Sequence, residues 1–334
     1  MTDIHFQHIG IIGGGAWGTA LAQTMASSGK SVTLWAYEAE TVREINDHHI
    51  NRNYLPGVDL NNSIKATGKF GDLADSDVVL LVSPTQSIRQ VTTQCAAHIP
   101  KGRPVVICAK GIEQASGRML SSVLADTLPQ ARLAVLSGPS FAADVARGLP
   151  AAVSLACRDE TLGQALAQGL GYRRFRIYWS QDIVGVQLGG AVKNVLAIAA
   201  GIVDGKEMGA SAHAALVARG FSELVRLGTA MGANSETLNG LAGLGDLILT
   251  CGSPNSRNMS LGRALGQGQG LSETLGERRA VTEGVFTAEA VMKLAKKHNV
   301  EMPICEAVHN ITSGAMSVDE AITTLLDRPM KAED

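Results

Sequence analysis

A chain of 334 residues that is 45% hydrophobic and 18% charged can bury a sizeable core and is long enough for two domains. Its formal net charge of −2 gives no electrostatic reason to expect nucleic acid or an anionic membrane surface as partner. Five scattered cysteines with no Cys-x-x-Cys pair argue against a metal site or disulfide framework and for a reducing, cytoplasmic location. The amino-terminal stretch reads as no secretory leader.

His8–Ile12 is a short apolar run that leads into Gly13-Gly14-Gly15-Ala16-Trp17-Gly18. A helical pattern follows to Ser28-Gly29, and Ser31–Ala36 reads as a second strand. Strand, Gly-x-Gly-x-x-Gly, helix and strand within about 30 residues is the context in which this spacing predicts dinucleotide binding. Gly13 permits the tight turn, Gly15 lets backbone amides approach a pyrophosphate, and Gly18 lets the helix pack closely on the strand. The N-terminus of the following helix adds partial positive charge for the phosphates. The second strand ends in Trp35-Ala36-Tyr37-Glu38, where an acidic residue would read the ribose of NAD and an arginine would accept the 2′-phosphate of NADP. Glu38 lies a residue or two late and Arg43 a turn or more further on, so both cofactors stay open.

Asn46–Ile64 is polar and reads as a loop, with His48-His49 solvated rather than metal-binding. The alternation then resumes with strands at Asp77–Val82, Pro104–Ala109, Leu133–Ser137, Ala151–Ala156 and Phe175–Tyr178, separated by helices. That order predicts an α/β protein with a mainly parallel, doubly wound sheet. Beyond Asp182 the strand signals largely cease, and helices such as Val184–Val203 and Ala210–Met231 take over. The expected organisation is an N-terminal Rossmann-type domain over residues 1–184 and an all-helical domain over residues 185–334.

The Val184 helix is apolar nearly all round, which marks a buried helix, and a central lysine makes it a poor membrane span. Gln187, Lys193 and Asn194 interrupt it. A buried ammonium needs a partner or a cleft, where a displaced pKa serves proton transfer; the bland alternative is a lysine that snorkels to the surface. Gly189-Gly190, one turn earlier, are expected to leave room for a ligand. Ligands of open α/β sheets bind outside the carboxyl ends of the strands. Lys110 and Gly138-Pro139-Ser140 follow two such ends. In the helical half Asp246 reads either as a helix cap or as the partner of Lys193. Ser256-Arg257-Asn258 suits a phosphate or is an exposed turn, and Val281-Thr282-Glu283-Gly284 reads locally as a turn.

Gly13–Ala20, Ala109-Lys110-Gly111, Ser137–Ala142, Gly185–Gly201, Gly243–Leu247, Ser256–Asn258 and Glu283-Gly284, in this order, closely resemble the bacterial NAD(P)-dependent glycerol-3-phosphate dehydrogenases over nearly the whole chain. The resemblance implies reduction of dihydroxyacetone phosphate to sn-glycerol 3-phosphate, the glycerophospholipid precursor. It implies Lys193 as proton carrier and Lys110 as a contact to both substrate and cofactor. It also implies Gly138, Ser140, Asp246, Ser256, Arg257 and Asn258 at the substrate, with Asn194 and Thr250 supporting the polar network. Gly13, Gly15, Ala16, Trp17, Gly18, Tyr37, Ala142, Arg257, Val281 and Glu283 are the implied cofactor positions. Ala16-Trp17 replace a frequent serine and aromatic, and Tyr37 stands where many relatives carry Arg or His, which weakens the case for strong NADP preference. The apolar helical half is compatible with a homodimer. Two rival readings are another two-domain dehydrogenase acting on a sugar acid or on a nucleotide sugar, the latter needing Cys251 as nucleophile, and a regulatory sensor that binds NAD(H) without turnover.

Overall fold

The computed structural model describes residues 6–276 and 282–329. Its strands are β1 His8–Ile12, β2 Ser31–Trp35, β3 Ile64–Thr67, β4 Val78–Leu81, β5 Pro104–Ile107, β6 Ile112–Glu113, β7 Arg118–Met119, β8 Arg132–Ser137, β9 Ala151–Ala156 and β10 Phe175–Ser180. Eight of them form one sheet in the order β10-β9-β8-β5-β4-β1-β2-β3, and β6 and β7 form a separate antiparallel pair. The sheet is parallel throughout except where β8 meets β9, so β9 and β10 run against the rest. Val78–Leu81 and Pro104–Ile107 are apolar and buried at every position, as strands covered on both faces must be.

The helices of this half are α1 Ala16–Ser27, α2 Ala39–Arg43, α3 Ile88–Cys95, α4 Leu120–Thr127, α5 Ala142–Ala146 and α6 Glu160–Leu170. Two features depart from the sequence reading: the β6–β7 pair, which starts α4 one residue later at Leu120, and an edge strand. The stretch taken as a loop through Ile64 holds a π-helical turn at Glu44–His48 and gives way to the edge strand β3, paired to β2 from Ile64 opposite Val32. Four residues with two apolar positions are too short a pattern to stand out beside a polar loop.

The second half comprises α7 Ile183–Gly205, α8 Ala210–Ala230, α9 Ser235–Asn239, α10 Asp246–Cys251, α11 Arg257–Gly266, α12 Leu271–Gly276, α13 Glu283–His298, α14 Pro303–Thr312 and α15 Val318–Leu326. Helix α7 is the hub. Asp182 caps it by accepting from the Gly185 amide at 2.7 Å, and α8, α10, α11, α13 and α14 all pack on it. It is the one described helix long and apolar enough to cross a bilayer, but 94% of that apolar window is buried inside the protein. Its glycines are packing devices. A Cβ at Gly201 would collide with the Met259 carbonyl, and one at Gly262 with the Ile198 carbonyl, so α7 and α11 meet backbone to backbone.

Glu223 of α8 is 1% exposed and accepts from the Ile304 and Cys305 amides, at 2.7 and 3.2 Å, at the start of α14. Burial pushes its carboxyl from the ordinary 4.5 up to about 7, against the pull of those amides. A folded value above the unfolded one contributes stability that is present below pH 4.5 and lost as pH rises through about 7. Chemical denaturation at pH 5 and pH 8 is therefore expected to show wild type losing on the order of 3 kcal/mol more than Glu223→Gln over that interval.

Candidate active site

The glycine loop folds for the reasons its spacing predicts. Gly13 sits at φ 131° with a hypothetical Cβ 2.8 Å from the Val82 backbone, and a Cβ at Gly18 would collide with the Gly13 carbonyl. Nothing lies within 4 Å of the space a Gly15 side chain would fill. Gly15 is also the N-cap of α1 and makes no side-chain cap, so the first amides of a 12-residue helix face that space. The open cradle and uncapped helix start fit a dinucleotide pyrophosphate. Ala16 and Trp17 form the first turn; the Trp17 indole packs edge-on to Phe175 at 6.4 Å. Tyr37 is 84% exposed past β2.

Asn51 secures this loop and escaped the sequence reading. It is fully buried, and its Nδ2 donates to the Gly14 carbonyl and to Thr19 Oγ1, both at 2.9 Å. Its Oδ1 accepts from the Tyr54 amide at 3.3 Å. An asparagine inside a polar loop carries no local sign of a partner 37 residues away. Asn51→Ala removes two hydrogen bonds under the nucleotide loop and is expected to raise KM for the nucleotide roughly tenfold with kcat little changed. Steady-state kinetics with varied NAD(P)H measures this.

The polar centre lies where α7, α10 and the carboxyl ends of β5 and β8 meet. Asp246, 1% exposed in the first turn of α10, receives Lys193 Nζ at Oδ1 and Lys110 Nζ at Oδ2, the latter at 2.7 Å. Lys193 also donates to Thr250 Oγ1 at 3.0 Å, and that hydroxyl donates to the Asp246 carbonyl at 2.6 Å. Lys110 further donates to the Gly138 carbonyl at 2.7 Å, which also accepts from Ser140 Oγ at 2.9 Å. Gly138 holds φ 148°, and a Cβ there would lie 2.8 Å from Val153 Cα. Burial pulls the Lys193 ammonium down from 10.5 to about 8; Asp246 opposes this and Lys110 adds to it. The snorkelling alternative fails, because Lys193 is 7% exposed with its ammonium held inside.

A second chain of amides orders the surrounding elements. Asn194 Nδ2 donates to the Lys110 carbonyl at 3.0 Å; Asn258 Nδ2 donates to Asn194 Oδ1 at 2.9 Å; the Gly284 amide donates to Asn258 Oδ1 at 3.0 Å. Both polar ends of the Asn258 side chain are thus used within the protein. Ser256 caps α11 by accepting from the Met259 amide at 3.3 Å, which puts Arg257 and the Asn258 amide in its first turn. Glu283 opens α13 and accepts from the Thr85 amide at 2.9 Å. Its other oxygen is buried without a hydrogen-bond partner among the described residues, and burial raises its carboxyl against the charge of Arg257. Ala142 begins α5 directly after the Gly138–Ser140 turn. Val281 lies outside the described residues.

Two expectations change. Gly189 and Gly190 do not leave room for a ligand: a Cβ at Gly189 would collide with the Ala242 carbonyl and one at Gly190 with Ser137 Oγ. They let α7 press against the turn before α10 and the end of β8. Cys251 is 1% exposed and burial pushes its thiol up to about 12, which removes it as a nucleophile. The described residues hold no His, Cys, Asp and Glu cluster suited to a metal ion.

An open cradle at a helix start, next to a sheet edge where a buried lysine–carboxylate centre meets the helical half, defines an NAD(P)-dependent oxidoreductase. Residues 8–163 match the family model for the NAD-dependent glycerol-3-phosphate dehydrogenase N-terminus, and residues 182–323 match that for its C-terminus. The chain is 58% identical to the glycerol-3-phosphate dehydrogenase (NAD(P)+) of Parvibaculum lavamentivorans and 56% identical to that of Maricaulis maris, each over 98% of both chains. The crystal structure of glycerol-3-phosphate dehydrogenase from Coxiella burnetii superimposes with a TM-score of 0.93 at 40% identity, covering 97% of this chain and all of that one. The chain belongs to the NAD-dependent glycerol-3-phosphate dehydrogenase family.

Proposed function

We propose that the protein reversibly reduces dihydroxyacetone phosphate to sn-glycerol 3-phosphate with NAD(P)H, supplying the precursor of glycerophospholipids in the cytoplasm, and that Lys193 is its proton carrier. The buried Lys193 ammonium, held by Asp246 and Thr250 and tuned to about 8, is the observation that carries this reading. Residues 1–184 serve the nucleotide and residues 185–334 supply Lys193 and the phosphate contacts. Gly13, Gly15, Ala16, Trp17 and Gly18 would hold the pyrophosphate, with Tyr37 near the adenosine ribose and Lys110, Ala142, Arg257 and Glu283 further along the nucleotide. The nicotinamide, when bound, supplies the hydride.

In reduction the Lys193 ammonium gives a proton to the carbonyl oxygen; in oxidation the neutral amine takes the hydroxyl proton. Lys110 adds positive charge where negative charge grows on that oxygen, and its bond to the Gly138 carbonyl fixes the turn carrying Ser140. Asp246 orients both ammonium groups and Thr250 fixes the direction of Lys193. The substrate phosphate is assigned to the start of α11, where the Arg257 guanidinium joins backbone amides and Ser256 shapes the turn. The Asn258 side chain acts with Asn194 to lock α11 onto Lys110. NAD(P)H absorbance followed with dihydroxyacetone phosphate, once with each nucleotide, tests the reading. Sustained oxidation supports it and ranks the cofactors; binding without turnover would leave the sensor.

A further inference from the structure

A second cavity, of about 500 Å³, lies beside α1 and α5 at the start of β9 and β10. That volume is within the range that holds small molecules. Its lining includes none of the residues of the glycine loop or of the Lys193 centre. Arg147, Arg173 and Arg174 line it, together with the hydroxyl-bearing Thr24 and Ser27. Val145 and Phe175, both buried, give it an apolar side.

Three features mark this exposed cluster. The chain carries 31 acidic residues against 29 lysines and arginines, yet among the described residues none of the three arginines has a carboxylate partner. The turn that presents two of them is closed by reciprocal backbone hydrogen bonds, Tyr172 amide to Phe175 carbonyl at 2.9 Å and Phe175 amide to Tyr172 carbonyl at 2.6 Å. Within that turn Arg173 is held at φ 39°, a left-handed conformation that L side chains seldom adopt, and its guanidinium lies 5.3 Å from the centre of the Tyr172 ring. All three arginines are exposed, and they line one cavity with no carboxylate among the described residues paired to them.

We propose that this cavity is a binding site for a small organic phosphate, its phosphoryl group held by Arg147, Arg173 and Arg174 and its carbon body lying against Val145 and Phe175. Guanidinium forks match phosphate oxygens two at a time, and the Ser27 hydroxyl can add a further donor, whereas that of Thr24 is spent on the Ala20 carbonyl at 2.9 Å. The apolar side selects an ester over inorganic phosphate.

The test is isothermal titration of the full-length protein with phenyl phosphate and, in parallel, with inorganic phosphate. Wild type is expected to bind phenyl phosphate saturably and more tightly than inorganic phosphate, and Arg173→Gln/Arg174→Gln to bind it at least tenfold more weakly. Dehydrogenase turnover and thermal midpoint of the double variant, both expected to match wild type, show that it is folded. Equal binding by wild type and variant would place the ligand elsewhere and overturn the proposal. No binding of phenyl phosphate by wild type would overturn it as well, and sedimentation on phosphatidylglycerol vesicles in that case would make the cluster a membrane contact.

Discussion

Replacing Lys193 with alanine is expected to lower kcat/KM in both directions by about 10²–10⁴-fold, the usual cost of losing a positioned proton carrier. The pH profile of the wild type carries the same assignment. Reduction needs the ammonium, so kcat/KM for dihydroxyacetone phosphate should fall as pH rises through about 8; oxidation needs the free amine, so kcat/KM for glycerol 3-phosphate should rise through about 8 to a plateau. Both bends should vanish in the variant. The substitution leaves a cavity in α7 but removes no backbone hydrogen bond, so circular dichroism and the thermal midpoint separate lost chemistry from lost folding. Near-normal turnover in a folded Lys193→Ala protein would sink the proton-carrier role.

Asp246→Asn should be the more damaging change to the protein as a whole. One carboxylate serves two ammonium groups from opposite halves of the chain, Lys110 after β5 and Lys193 in α7. Removing its charge leaves both without compensation at a site 1% exposed, and breaking a buried pair in this way costs roughly 3–5 kcal/mol. That is a large part of the 5–15 kcal/mol by which domains of this kind are typically stable, so the thermal midpoint should drop by several degrees. The sign of the pKa effect is fixed as well. Asp246 is the group that raises the Lys193 value against burial, so its loss should move the bend in the reduction profile below about pH 8. An unchanged midpoint with an unmoved bend would show that Asp246 does not hold this centre.

Elements were readable in the sequence where a pattern was local and long. The glycine loop announces itself because each glycine answers a contact within one strand–turn–helix unit, as the Gly13–Val82 and Gly18–Gly13 approaches bear out. Helix α7 is visible as the apolar run Val184–Val203, interrupted by Gln187, Lys193 and Asn194. The edge strand β3 is not, since four residues at the end of a polar loop carry little periodicity. At Gly189 and Gly190 the sequence shows only a missing side chain, which by itself suggests space for a ligand. Whether a substrate or the Ala242 carbonyl takes up that space is a matter of tertiary packing.

The sequence by itself determined the class of fold, the glycine loop and which polar residues interrupt the apolar segments, because composition and periodicity act along the chain. The tertiary structure alone decided which of those residues meet. Lys193 had two local readings and Asp246 two more, and each was resolved by a partner 53 residues away. Asn51, which looks like any loop residue, is tied to the glycine loop through a backbone carbonyl 37 residues distant. Burial set the lysine to about 8, and burial is a property of the packed chain rather than of any segment of it.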